Sequence, residues 1–137
     1  MGRYLAIDFG RKRTGIAVSD PLKIIATALE TVESHKVIPF LKNYTLSESV
    51  DHFVIGMPKQ LNNEDSENAK YVKQFAEKLL VAFPAIPQSY IDERFTSSIA
   101  LDTMIQGGMK KKDRREKGNV DKISAVLILQ TFMQQQP

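Results

Sequence analysis

The sequence predicts an α/β fold in which helices cover both faces of a mixed five-stranded sheet. Three strand-like runs precede any convincing helical pattern, and helical and strand patterns alternate afterwards. Of the 137 residues, 42% are apolar, and a chain of this length buries about two thirds of its unfolded surface in one core. We therefore expect residues 1–137 to form a single domain.

The first three strands are predicted over residues 4–7, 15–19 and 26–32. The first is a continuous apolar run that ends at Asp8 and Gly10, which is typical of a central strand buried on both faces. Because no helix separates the three runs, they predict an antiparallel meander.

The middle of the chain contains two predicted helices around one strand. Ser34 is a candidate N-cap for a helix that runs to about residue 43, and residues 53–55 form a strand that Gly56 and Pro58 stop. From residue 65 or 66 onward, apolar side chains recur every three or four positions, which indicates one buried helical face. Its members are Ala69, Val72, Phe75, Ala76, Leu79, Leu80 and Phe83.

One further strand and two helices complete the pattern. The strand covers residues 89–91, Thr96 is a candidate N-cap for the next helix, and the last helix runs from about Asp121 to residue 134. The resulting order, β-β-β-α-β-α-β-α-α, is the outline of a ribonuclease H-like fold. In such open sheets the functional crevice lies beyond the carboxyl ends of the parallel strands. The side chains predicted to face inward from the last helix are Ala125, Ile128, Leu129 and Phe132.

The composition excludes several classes of protein. The absence of cysteine excludes disulfides, thiolate catalysis and zinc fingers. The longest apolar stretches are about ten residues, half of what a bilayer crossing needs, and Asp8 comes too early for a signal-peptide core. We therefore expect a cytoplasmic protein without a membrane segment.

Positive charge is concentrated in one segment near the end of the chain. Residues 110–117 hold six basic and two acidic side chains, whereas the whole chain carries a net charge of only +3. Such concentration is expected of a contact with a polyanion, although basic runs also occur simply as solubility features. The candidate contacts are Lys110, Lys111, Lys112, Arg114 and Arg115.

Three acidic residues are candidates for a catalytic metal site. A polyanion-cleaving site without cysteine takes its nucleophile from water, which two Mg²⁺ or Mn²⁺ ions held by carboxylates can activate. Asp8 and Glu93 each follow a predicted parallel strand, and Asp121 lies on or beside the inward side of the last helix, unless it only caps that helix. Neighbouring strand residues point to opposite faces, so we expect Glu93 rather than Asp92 to face the metals.

Basic and hydroxyl side chains near these acids are candidate phosphate ligands. Arg11, Lys12 and Arg13 follow the first strand and either hold phosphates close to the metals or form a solvated hairpin tip. Arg94 and Thr96 are placed to bind phosphate through a guanidinium and a helix N-terminus. The alternative role of Thr96 is helix capping alone.

Four segments of the chain, in this order and at this spacing, carry a family resemblance. They are LAIDFGRKRTGIAVSD (residues 5–20), VIGMP (54–58), DERFTS (92–97) and VDKISA (120–125). Together they resemble the YqgF family, whose members are described both as Holliday junction resolvases and as pre-16S ribosomal RNA nucleases. The resemblance implies a ribonuclease H-like fold, divalent-metal nuclease activity, and catalytic carboxylates at Asp8, Glu93 and Asp121.

The resemblance also implies a substrate. The leading hypothesis is hydrolysis of RNA during maturation of the 5′ end of pre-16S rRNA. The first alternative is a structure-specific DNA resolvase, which would work best as a dimer because a four-way junction presents two symmetric cuts. The second is a nucleic-acid-binding module without catalysis. Monomer and homodimer both remain open, as does the role of the loop over residues 59–66, whose segment 62–66 replaces the Asp-Gly pair common in the family.

Overall fold

The structure is a computed structural model that describes residues 2–58, 68–92 and 117–136, with side chains of the last segment described from residue 123. The described elements are β1 (Arg3–Phe9), β2 (Arg13–Ser19), β3 (Ala26–Glu33), a 3₁₀ turn (Ser34–Lys36), α1 (Val37–Tyr44), β4 (Val50–Met57), α2 (Ala69–Ala82), β5 (Gln88–Asp92) and α3 (Lys117–Gln134). The helix expected to start at Thr96 lies outside these residues. Within the described ranges, no helix is both long and apolar enough to cross a membrane.

The five strands form one mixed sheet with the order β3-β2-β1-β4-β5. β1, β2 and β3 are antiparallel neighbours, which confirms the predicted meander. β1, β4 and β5 are parallel neighbours, so their carboxyl ends meet at one edge of the sheet. The predicted mixed sheet with β1 at its centre is confirmed.

Helices cover both faces of the sheet. Side chains along a strand point alternately to the two faces, so each face carries an apolar cluster that helices bury. Leu5 and Ile7 of β1 belong to the larger cluster, which α1 and α2 cover. Ala6, between them, belongs to the second cluster, on which α3 packs. The predicted inward face of the last helix is confirmed, since the α3 residues buried in this cluster are Ala125, Ile128, Leu129 and Phe132.

Helix α2 confirms most of its predicted buried face. Leu80, which the spacing also placed inward, is 49% exposed. It follows Leu79 by about 100° around the helix axis, which turns it from the centre of the buried stripe toward solvent. The buried members of the face are Ala69, Val72, Phe75, Ala76 and Leu79.

Ser34 does not cap helix α1, which corrects the prediction. The 3₁₀ turn intervenes, and α1 begins after Lys36 without a side-chain cap hydrogen bond. The buried Ser34 hydroxyl instead donates to the Gly10 carbonyl and lies 2.8 Å from Thr14 Oγ1. A serine bonds a distant backbone group in place of its own helix when the fold brings that group closer.

Helix α3 begins at Lys117, four residues before the predicted start. Gly118 and Asn119 are weak helix formers, which conceals the first turn in the sequence. Packing of the apolar face further along α3 supplies the stability that these residues lack. Asp121 is therefore inside the helix, and the N-cap alternative for this residue is wrong.

His52 of β4 lies against the end of α3. Its ring centre is 5.0 Å from that of Phe132 and 6.2 Å from that of Tyr4, and its Nε2 lies 2.8 Å from Ser89 Oγ, within hydrogen-bond distance. Burial lowers the pKa of His52 from its ordinary value of 6.5. The folded protein therefore binds the imidazole proton less tightly than the unfolded chain does.

This difference predicts a pH-dependent stability. The contribution of His52 is complete above about pH 6.5 and is lost as the pH falls from there to the lower pKa of the folded state. We expect the free energy of unfolding to decline in that range, and less steeply in His52→Gln. Chemical denaturation of both proteins between about pH 5 and 8 measures this slope. Identical slopes in the two proteins would contradict the assignment.

Candidate active site

Asp8 lies near the carboxyl end of the central strand, on the face that α3 covers. It is the sixth of seven residues in β1 and is half-buried. Because side chains alternate along a strand, Asp8 shares its face with Ala6, which packs in the α3 cluster. The carboxylate therefore lies where this face of the sheet reaches its carboxyl edge.

Two glycines flank Asp8 in the sheet. Gly15 of β2 is its antiparallel partner. In β4, Ile55 pairs with Ile7, so Gly56 holds the next position, beside Asp8. Glycine inside a strand often marks a site where a ligand approaches closely. Neither flanking position carries a side chain, and both glycines are buried in the sheet.

The end of β5 places Asp92, the first of the two neighbouring acids considered in the sequence. Ile91 pairs with Gly56 and packs in the α3 cluster, so it shares the face of Asp8. Asp92 pairs with Met57, which belongs to the cluster under α1 and α2. Strand register thus assigns Asp92 to the face opposite Asp8. The register agrees with the expectation that Asp92 does not face the metals, and Glu93 lies outside the described residues.

Helix α3 runs from the carboxyl edge of the sheet toward its amino edge. Phe132, near the end of the helix, packs edge-on against Tyr4 at the start of β1, with ring centres 5.1 Å apart. This contact fixes the end of α3 beside the start of the central strand.

Most of the remaining candidate residues lie outside the described part of the chain. Among described side chains, no group of three or more acidic, histidine or cysteine residues is close enough to hold a metal. Of the three candidate metal ligands, only Asp8 has a described side chain, so the three-carboxylate site stays a prediction. The other candidates outside the description are Glu93, Arg94, Thr96, Lys110, Lys111, Lys112, Arg114, Arg115 and the side chain of Asp121.

Buried polar contacts hold the basic hairpin between β1 and β2. The Gly10 N–H donates to the Arg13 carbonyl at 3.0 Å, and the Ser34 N–H donates to the Lys12 carbonyl at 2.9 Å. The Ser34 hydroxyl also bonds Gly10 and Thr14. The 3₁₀ turn thus fixes the position of the hairpin tip relative to β1.

This hairpin directs its two arginines to opposite faces of the sheet. Arg13 is exposed at the start of β2, where strand alternation assigns it to the face of Asp8. Arg11 lies on the other side, with its guanidinium 4.8 Å from the centre of the Tyr71 ring of α2. Lys12 is exposed at the tip. Of the three, Arg13 is the one that the register brings to the face of the candidate catalytic acid.

Sequence analysis missed the supporting residues around Asp8. Thr14 and Ser34 form a buried hydroxyl pair under the hairpin. The sequence signal for this pair was that Thr14 directly precedes the second predicted strand and Ser34 closely follows the third. Gly15 and Gly56 were interpreted as a strand start and a strand stop, yet both lie within strands. A glycine inside an apolar run was the signal for a close approach at these positions.

Relatives of known name match nearly the full length of the chain. A protein of Porphyromonas gingivalis named "Putative pre-16S rRNA nuclease" is 53% identical over 133 residues, covering 97% of this chain and 96% of its own. A protein of Parabacteroides distasonis with the same name is 54% identical over 134 residues, covering 98% and 96%.

Solved structures and a family profile agree with the described fold. Thermus thermophilus RuvC in complex with a Holliday junction substrate has a TM-score of 0.58 at 17% identity over 97% of this chain and 96% of its own. The large terminase nuclease of thermophilic phage G20c has a TM-score of 0.55 at 13% identity over 95% and 81%. This likeness confirms the ribonuclease H-like fold. A profile described as "RuvX: Holliday junction resolvase" matches residues 2–135, so the chain belongs to the RuvX family, the same family that its sequence resembles under the name YqgF.

Proposed function

We propose that this protein is a divalent-metal-dependent nuclease that hydrolyses RNA phosphodiesters in maturation of the 5′ end of pre-16S rRNA. The observation that carries the proposal is the half-buried Asp8 at the carboxyl end of the central strand, between Gly15 and Gly56. A carboxylate is the kind of ligand that a hard divalent cation prefers. The names of the relatives at 53% and 54% identity supply the RNA substrate, and that substrate implies a cytoplasmic location.

Glu93 and Asp121 are the proposed partners of Asp8. Glu93 lies outside the described residues, and it is proposed on the sequence pattern, which places it two residues after the buried Ile91. Asp121 is one turn before Ala125, which packs on that face. Both observations support a single three-carboxylate site for two Mg²⁺ or Mn²⁺ ions. When bound, such ions activate a water and stabilise the attacking and leaving oxygens of a phosphodiester.

The basic side chains have the separate role of holding the substrate in place. Arg13, on the face of Asp8, binds the phosphate nearest the cleaved bond in this proposal. Lys12, Arg94, Thr96 and the segment 110–117 bind flanking phosphates, which position a strand without reading its sequence. Residues 1–137 then act as one nuclease domain, which the single sheet joining all five described strands supports.

Parallel cleavage assays distinguish this proposal from a DNA resolvase, which the description of the family profile favours. We expect cleavage of a pre-16S rRNA fragment in Mg²⁺ or Mn²⁺, no cleavage in EDTA, and little cleavage of a synthetic four-way DNA junction. The molecular mass in solution is measured alongside. Preferential paired cutting of the junction by a dimer would assign the resolvase. Binding of both substrates with cleavage of neither would assign a binding module.

Replacing Lys110, Lys111 and Lys112 by Ala is expected to weaken RNA binding and to reduce its salt dependence. Each lost phosphate contact lowers the slope of log K against log salt by about 0.7 on single strands, so the triple variant should lose about 2 units. Binding titrations at several salt concentrations measure the slope. Lys42→Ala on α1, whose side chain is exposed, is the control and should keep it. An unchanged slope in the triple variant would remove this segment from the interface.

A further inference from the structure

A groove on the face opposite Asp8 is not used by the candidate active site. It has a volume of about 520 Å³ and lies between the start of α1, one side of α2 and the β1–β2 hairpin. This volume is within the range typical of ligand sites. The side chains that give it its chemistry are Arg11, His35, Tyr71, Gln74, Phe75 and Lys78.

Helix α2 contributes aromatic and basic groups to the groove from one side of the helix. The Phe75 ring stacks on Phe9, with centres 4.6 Å apart and planes inclined by 15°, which gives the groove an apolar floor. The Tyr71 ring carries the Arg11 guanidinium at 4.8 Å and the Lys70 ammonium at 5.1 Å from its centre. The α2 side chains that line the groove are spaced by three or four residues, and they are Tyr71, Gln74, Phe75 and Lys78.

The charge around the groove is mainly positive. Arg11 and Lys78 line it and are exposed, and no acidic residue is among its described lining side chains. Glu33, beside the groove, lies 3.3 Å from Lys36 Nζ, which offsets its negative charge. The groove therefore fits a ligand that combines negative charge with a flat ring.

We propose that this groove binds an unpaired nucleotide of the single-stranded nucleic acid whose phosphodiester lies at Asp8, an inference that rests on the proposed nuclease function. The base stacks on the layer formed by Arg11 and Tyr71, and a phosphate contacts Lys78. Stacking on aromatic rings and guanidinium planes is a common way to bind single strands. Phe9 directly follows Asp8 and lines the groove, so a strand leaving the active site reaches the groove around the carboxyl edge of the sheet.

Binding of labelled oligonucleotides in EDTA tests this proposal without cleavage. Fluorescence anisotropy is measured with an RNA of about ten nucleotides, a DNA of the same sequence, and the duplex of each. Tyr71→Leu is expected to raise Kd for the single strands at least about 5-fold, and Tyr71→Phe to restore it. Lys78→Gln should lower the salt slope by about 0.7.

Matched controls come from other parts of the molecule. Tyr90→Leu changes a tyrosine of β5 that is 48% exposed, and Lys42→Gln changes an exposed lysine of α1. If the groove variants bind single strands as tightly as these controls, the proposal is overturned. An equal loss of duplex binding in Tyr71→Leu would also overturn it, because a paired base is not available to stack.

Further outcomes distinguish RNA from DNA as the ligand, and the groove proposal from the nuclease proposal. Weakened binding of RNA alone, or of RNA and DNA alike, supports the groove and shows which sugar it accepts. If Tyr71→Leu does not fold, photocrosslinking of a 4-thiouridine oligonucleotide to the wild-type protein tests the groove without a variant. We expect crosslinks at Tyr71 or Phe75, and crosslinks only elsewhere would refute the groove. Groove binding without metal-dependent cleavage of RNA or DNA would overturn the nuclease proposal alone.

Discussion

Asp8→Asn is expected to lose metal-dependent cleavage of RNA by at least about 100-fold while binding RNA normally. The substitution keeps the shape of the side chain but removes the negative charge that a divalent cation needs. Each loss of about 1.4 kcal/mol of transition-state stabilisation lowers the rate tenfold. A loss of about 3 kcal/mol, of the size expected when a metal ion is not held, therefore gives the effect of about 100-fold. Single-turnover cleavage and anisotropy measured on the same protein separate the two effects.

Asp51→Asn is the matched control for this prediction. Asp51 is a carboxylate near the amino end of β4, at the opposite edge of the sheet, where it accepts hydrogen bonds from Lys23 Nζ at 2.9 Å and from the Gly2 N–H at 3.1 Å. The hydrogen bond from Lys23 holds the pKa of Asp51 below its ordinary value. We expect this variant to cleave RNA like the wild type. Full cleavage by Asp8→Asn would remove Asp8 from the catalytic site.

A metal titration adds a readout that does not depend on cleavage. A cation that binds only the folded protein raises its melting temperature. We expect Mn²⁺ to raise the melting temperature of the wild type and of Asp51→Asn, and to leave that of Asp8→Asn nearly unchanged. A wild-type melting temperature that does not respond to Mg²⁺ or Mn²⁺ would count against the metal site.

Gly10→Ala is expected to lower both stability and turnover, because the added Cβ would lie 2.6 Å from the Arg13 carbonyl oxygen. That oxygen is a backbone atom and already accepts the Gly10 N–H, so the turn must open to relieve the contact. Strain of this kind costs about 1–3 kcal/mol. The displaced hairpin carries Arg13 away from the face of Asp8, and a shift of about 1 Å at a positioning group can lower a rate about 100-fold.

Chemical denaturation and single-turnover cleavage measure the two effects of Gly10→Ala. Lys12→Ala, at the exposed tip of the same hairpin, is the stability control. It keeps the backbone carbonyl that Ser34 bonds, so its free energy of unfolding should stay within about 0.5 kcal/mol of the wild type. A Gly10→Ala protein as stable and as active as the wild type would show that the hairpin position is not important.

Local patterns predicted the elements that carry the candidate site. The apolar run before Asp8 predicted a central buried strand, and spacings of three and four predicted the buried face of α2. Both succeeded because the period of the apolar residues reflects which side of an element is buried. Leu80 was misplaced because spacing gives the direction of a stripe but not its width.

Hydrogen bonds between distant segments were not predictable in this way. Ser34 satisfies the sequence rules for a helix N-cap, but its hydroxyl bonds Gly10 and Thr14 in the hairpin. Arg11 and Arg13 are two residues apart, and the structure directs Arg11 to Tyr71 while register assigns Arg13 to the face of Asp8. These outcomes depend on partners twenty or more residues away or on the turn between strands.

The sequence by itself determined the order of the five strands, the buried sides of α2 and α3, and the carboxylate at the end of the first strand. It did so because burial periodicity and turn residues act over a few neighbouring positions. Only the tertiary structure decided that Gly15 and Gly56 flank Asp8 and that Tyr71 meets Arg11. Register between strands and packing between helices join residues far apart in the chain, and no local window of sequence specifies such pairs.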